Sequence, residues 1–170
     1  MHRPHQDEYA PYYHQYIQKV PQGSIIELLL HQIDEVAKIF SGISEENSLF
    51  RYAEGKWNIK EILGHIVDTE RIFACRALRF SRNDKTNLPG FEQNDFVHNA
   101  NYNELKLSDL LEEFITLRRS NLKMFNNFSV DMWIRKGTAN GNLITVRAIA
   151  FILYGHAIHH LTILRDRYLK

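Results

Sequence analysis

A single cysteine among 170 residues excludes an intrachain disulfide and a cysteine-rich zinc knuckle. Prolines number only four, at positions 4, 11, 21 and 89, so long stretches run without a helix breaker. Charge of one sign is also lacking. The 21 Lys and Arg face 20 Asp and Glu, a net charge of +1 with His neutral, which leaves no electrostatic footprint for nucleic acid or an anionic membrane. No run approaches the ~20 apolar residues of a membrane span. Met1-His2-Arg3-Pro4-His5 opens without the apolar stretch of a secretory signal, so a cytoplasmic protein is expected. Neither a Gly-x-Ser-x-Gly element nor a phosphate-cradling glycine loop is present, and serine-hydrolase and nucleotide-binding readings lapse.

What is present is a globular composition, 44% hydrophobic and 24% charged, long enough to bury a core without help from a metal. Residues 1–23 read as an arm. Tyr9, Tyr12, Tyr13 and Tyr16 fall there at spacings that suit one or two helical turns, and they are expected to lay rings over a core built elsewhere. Exposed rings on such an arm leave room for a homodimer. Residues 24–170 read as one domain. Ser24 with Glu27, Asn58 with Glu61, Ser108 with Glu112, and Thr145 mark helix starts near 25, 58, 108 and 145. Apolar stripes at helical spacing carry these helices to about 41, 82, 128 and 168. No period-2 strand stands out, and Asn140-Gly141 reads as a turn. The expected fold is all-α: a four-helix bundle. Connections of about 25 residues (83–107) and 16 residues (129–144) exceed the ~2–8 of a simple up-down bundle. They predict crossover connectivity, with the loops 88–98 and 137–144 folded over one end.

Several polar residues fall on the apolar faces. On the last helix, His156 and His160 lie one turn apart inside the arc of Val146, Ile149, Ile152, Leu153, Ile163 and Leu164, with His159 at its edge. Imidazoles at i and i+4 can aim at one metal ion, although core histidines satisfied by hydrogen bonds share the pattern. On the second helix, His65 borders the apolar arc beside Gly64, which lets a neighbouring helix come close. Spacing does not separate a third ligand from a helix-interface histidine bonded to a carbonyl. Asp68, one turn on, points farther from the core and is a candidate to support a ligand ring. Glu70 projects into the centre of the second helix's arc and Arg118 into that of the third, so the two are expected to pair. Cys75 falls outside the core arc with no base beside it.

The stretches Trp57-Asn58-Ile59-Lys60-Glu61, Gly64-His65-Ile66-Val67-Asp68-Thr69-Glu70-Arg71, Leu88-Pro89-Gly90-Phe91 and Gly155-His156-Ala157-Ile158-His159-His160 together resemble the DinB/YfiT-like superfamily over roughly residues 24–168. The resemblance implies a bundle of non-standard connectivity with one divalent metal, zinc or nickel, on His65, His156 and His160. His159 matches a position that is not usually a ligand. It further implies a metal-dependent enzyme acting on a small molecule, either a thiol S-transferase using a low-molecular-weight thiol or a hydrolase-like activity. Asp68 or Glu70 would then steady a ligand imidazole. The alternative is a non-catalytic stress-response or binding bundle whose metal is structural or absent. Thr162-Ile163 stands where many relatives carry Gly-Gln, which leaves the subgroup open.

Overall fold

Among residues 2–169, which the computed structural model describes, several helices begin where side chains or neighbouring segments satisfy the first backbone N–H groups. The elements are α1 His14–Ile17, α2 Ile25–Phe40, α3 Ile59–Ser81, α4 Gln93–Asn99, α5 Leu107–Asn126, α6 Val130–Ile134, strands β1 Lys136–Ala139 and β2 Asn142–Thr145, and α7 Val146–Arg167. At the start of α3, Asn58 Oδ1 accepts from the Glu61 N–H at 2.9 Å, and the Glu61 carboxylate accepts from the Asn58 N–H at 2.8 Å. At α7, Thr145 Oγ1 accepts from the Ala148 N–H at 3.2 Å.

The two serine caps are not made. Ser24 contributes no capping bond to α2. Helix α5 starts one residue before Ser108, and its Leu107 N–H donates to the Glu45 carboxylate at 3.1 Å. A carboxylate from a distant loop replaces the local serine.

The expectation of no strand is corrected at residues 136–145. Asn140 and Gly141 both take positive φ, 50° and 71°, which is the two-residue turn whose twist suits a hairpin. β1 and β2 pair antiparallel around that turn, with Gly137 opposite Ile144. The pattern is only four residues per strand, too short for period-2 alternation to register. The Leu88 N–H donates to the Thr138 carbonyl, and the Asn140 N–H donates to the Leu88 carbonyl. These bonds tie the 83–107 connection to the hairpin.

The four long helices form a bundle in which α2 lies against α5 and α7, and α3 lies against the same two. Going round the ring, the order is α2, α5, α3, α7. Helices consecutive in the chain are therefore diagonal across the bundle at α2–α3 and α5–α7, and the connections cross its ends. Tyr168 Oη donates to the Trp57 carbonyl at 2.6 Å, which places the end of α7 at the start of α3. The arm packs on α7, with Tyr16, Ile17 and Val20 buried. At Gly155 a Cβ would lie 2.0 Å from the Tyr16 carbonyl oxygen, so only glycine lets the arm's backbone reach α7 there.

The apolar interior falls into two clusters, one beneath the arm and hairpin, the other between α3, α5 and the C-terminal half of α7. Buried polar groups join the four helices. Arg118 on α5 makes a two-point contact with Glu70 on α3, Nε and Nη2 each 2.9 Å from a carboxylate oxygen. Arg118 Nη1 donates to Gln32 Oε1 on α2 at 2.8 Å, and Gln32 Nε2 donates to the Tyr154 carbonyl on α7 at 3.0 Å. Asn121 supplies a further donor to Glu70. Arg118 is 0% exposed and Glu70 1%, so neither charge has water to fall back on.

Removing one partner strands the other. Glu70→Gln and Arg118→Met should each destabilise by about 3–5 kcal/mol. The double variant should lose less than the sum, as read from urea midpoints in a double-mutant cycle. Additive losses would show that the charges do not couple.

Candidate metal centre

Helix α3 presents His65, Thr69 and Phe73 as a row at i, i+4 and i+8, and α7 presents Ile152, His156 and His160 likewise. Where the two rows meet, three imidazoles converge. His65 Nε2 lies 3.0 Å from His156 Nε2, which lies 3.1 Å from His160 Nε2. One ligand-capable nitrogen from each ring falls within 4.8 Å of the others, and among the described residues this grouping comprises His65, His156 and His160 alone. His65 and His156 are buried, and His160 is half-buried.

Two glycines, each just before a histidine, let other segments close over the rings. A Cβ at Gly64 would enter the Tyr102 ring at 2.4 Å, so the close neighbour there is a tyrosine from the 83–107 connection rather than a helix. Gly155, before His156, admits the arm. Two aromatic rings then flank the cluster. Trp57 lies over His65 with centroids 4.7 Å apart and beside His160 at 6.3 Å. Tyr16 meets His156 edge-on at 5.5 Å.

These surroundings keep the rings neutral. Burial, followed by the neighbouring His159, pushes the pKa of His65 down to about 4. Burial, with the facing His160 and His65, holds His156 well below its ordinary range, and burial with His65 does the same for His160. Neutral imidazole is the ligand form. Nitrogens held by zinc at ~2.0–2.1 Å in a tetrahedron stand about 3.3 Å apart, close to the two shorter separations here. The donor set and its spacing fit one divalent ion with a position left for a small ligand.

The other expected residues lie elsewhere. Asp68 accepts a hydrogen bond from Tyr102 Oη, and Glu70 is held by Arg118 and Asn121. The three rings meet one another through their Nε2 atoms, while Asp68 and Glu70 are engaged by these other partners and steady no imidazole. His159 packs against Tyr16 and His160 outside the convergent set. Cys75 is exposed on the far face of α3.

A cavity of about 250 Å³ opens onto His65 and His156. Phe91, Glu92, Gln93 and Asn140 from the two long connections form part of its wall, and Tyr12, Tyr13 and Tyr16 bring the arm into it. The arm's tyrosines thus cover the core and also border this space. A second cavity, of about 240 Å³ and walled by Trp57, Lys56 and Tyr168, reaches His160. Trp57 and Thr69 escape sequence reasoning. Trp57 precedes a helix cap and belongs to no stripe, and Thr69 carries no pattern beyond standing one turn from His65.

A bundle of this connectivity, with three imidazoles converging between its second and fourth long helices, defines a class of small three-histidine helical proteins. The sequence model of the DinB superfamily matches residues 27–164, and the chain belongs to that superfamily. Among curated proteins, none matches in sequence. Among solved structures the chain is similar to YfiT from Bacillus subtilis, described as a probable metal-dependent hydrolase with an unusual four-helix bundle topology. The TM-score is 0.70 at 12% identity, over 97% of this chain and 90% of that one. At that identity the likeness establishes the fold. No helix among the described residues is long and apolar enough to cross a membrane.

The metal-free protein should lose stability in acid. Folded His65 titrates near 4, against ~6.5 when unfolded, so between those values the unfolded chain binds more protons. The neutral site's stability is whole above pH 6.5 and declines as pH falls toward 4. Urea midpoints between pH 7.5 and 4.5 should show that decline, and His65→Gln should flatten it.

Proposed function

We propose that His65, His156 and His160 hold one divalent ion, zinc or nickel, and that the protein is a metal-dependent enzyme acting on a small molecule by thiol S-transfer or hydrolase-like chemistry. The observation that carries this reading is the convergence of three neutral, buried imidazole nitrogens beside a cavity large enough for a small ligand. An ion held there by His65, His156 and His160 would supply a Lewis acid, able to keep a thiol as thiolate or a water as hydroxide near neutral pH.

The chain's own contribution is positional. The polar pin through Glu70 and Arg118 holds α3 and α7 in register, so that His65 faces His156. Trp57 and Tyr16 flank the rings, hold them against rotation and keep water from their faces. Glu92 is the one carboxylate in the wall of the cavity beside His65 and His156, on its exposed connection. Its exposed position sets Glu92 apart from His65 and His156, which are buried.

The test joins composition to activity. Purified protein should carry about one equivalent of zinc or nickel by elemental analysis. It should also conjugate low-molecular-weight thiols to 1-chloro-2,4-dinitrobenzene, or hydrolyse 4-nitrophenyl acetate, above the uncatalysed rate. His160→Ala should lose metal and turnover together while keeping its helical circular dichroism. A stable protein without metal or turnover would instead establish the non-catalytic bundle.

A further inference from the structure

Among the described residues, Thr69 Oγ1 is the one buried side-chain nitrogen or oxygen with no hydrogen-bond partner. Thr69 is only 3% exposed, and it lines the cavity shared by His65 and His156. A threonine inside a helix ordinarily satisfies its hydroxyl by donating to the carbonyl four residues back, here that of His65. This one makes no such bond. Leaving a buried hydroxyl unpaired is destabilising, a cost that a valine of the same shape would avoid. The hydroxyl stands one helical turn, about 6 Å of axial rise, beyond His65 on the face turned to the cavity.

The rest of the wall limits what could meet it. Tyr13, Phe73 and Phe91 supply rings, and Gln93 and Asn140 supply neutral amides. No lysine or arginine lines the space, and its one carboxylate, Glu92, is exposed. The wall therefore selects no anionic group, and suits a flat or apolar body carrying an uncharged acceptor.

We propose that Thr69 is a positioning residue for the ligand of the three-histidine site. Its hydroxyl donates to an acceptor oxygen on an uncharged small molecule whose apolar or aromatic body rests against Tyr13, Phe73 and Phe91. This inference rests on the metal reading above. It adds a residue outside the histidine set and a class of ligand: neutral, with an acceptor beside the atom that faces the histidines and an apolar group behind it. The hydroxyl is unpartnered in the resting protein because its partner is the ligand.

Cobalt(II)-loaded protein tests it by absorption spectroscopy, with acetohydroxamate and benzohydroxamate as probes. The wild type should bind benzohydroxamate at least fivefold more tightly than acetohydroxamate, because only the former reaches the aromatic wall. Thr69→Val should bind cobalt with unchanged stoichiometry yet weaken both hydroxamates about three- to tenfold, the loss expected for one hydrogen bond. Thr69→Ser, which restores the hydroxyl, should stay within twofold of wild type. In metal-free protein, Thr69→Val should leave the urea midpoint unchanged or raise it.

Normal cobalt binding with hydroxamate affinities insensitive to Thr69→Val would overturn the positioning role alone. Equal affinity for the two hydroxamates would overturn the aromatic-body assignment. A lowered urea midpoint in metal-free Thr69→Val would show that the hydroxyl is a structural partner, and would also overturn it. Failure of the wild type to bind cobalt would instead remove the metal reading on which the proposal stands.

Discussion

The contact on which the arrangement depends is the buried ion pair of Glu70 and Arg118. Its members sit on α3 and α5, and Gln32 extends it to α2 and to the Tyr154 carbonyl of α7. An apolar interface tolerates a slide of one turn, because leucine on leucine costs little to shift. A two-point guanidinium–carboxylate contact with no access to water does not. Glu70 stands five residues after His65, and Tyr154 stands two before His156. The network that locks these positions therefore also decides which histidines face each other.

The interior is arranged around polar chemistry. Two apolar clusters lie to either side, and the polar groups between them are of two kinds. The charged network is paired throughout and serves to fix register. The histidine cluster is neutral, held so by burial and by the mutual proximity of its rings, which meet through their Nε2 atoms. A group of imidazoles that meet chiefly one another is poised to meet something else. The separation of the two sets explains why Asp68 and Glu70, each close in sequence to His65, have other partners.

Access to the cluster is governed by segments outside the four long helices. The arm reaches it because Gly155 admits the Tyr16 backbone, and it is anchored at its far end by Glu8, which accepts from Arg147 and from Thr145 at 2.9 Å. The hairpin and the Leu88-Pro89-Gly90-Phe91 segment join through the Leu88 bonds to β1. Arg76 donates to the Pro89 carbonyl at 2.8 Å, and a Cβ at Gly90 would strike Asn140 at 2.7 Å. The two long connections are thus one structure, and together with the arm they wall the cavity beside His65 and His156.

Helical periodicity by itself determined the four long helices, the inward faces of His156 and His160, and the misplacement of Glu70 and Arg118. A stripe on a helix records burial directly, because it is a local property of spacing. The caps at Asn58 and Thr145 were legible for the same reason: donor and acceptor lie three residues apart. Ser24 and Ser108 had the same local pattern and went unused, since for α5 the donor found Glu45 from another part of the chain. The ring order of the helices, the hairpin, the Trp57 and Tyr16 rings over the site and the unpaired Thr69 hydroxyl were decided only in the tertiary structure. Each depends on contacts between residues far apart in the chain, and the energy of such a contact leaves no period in the sequence of either partner.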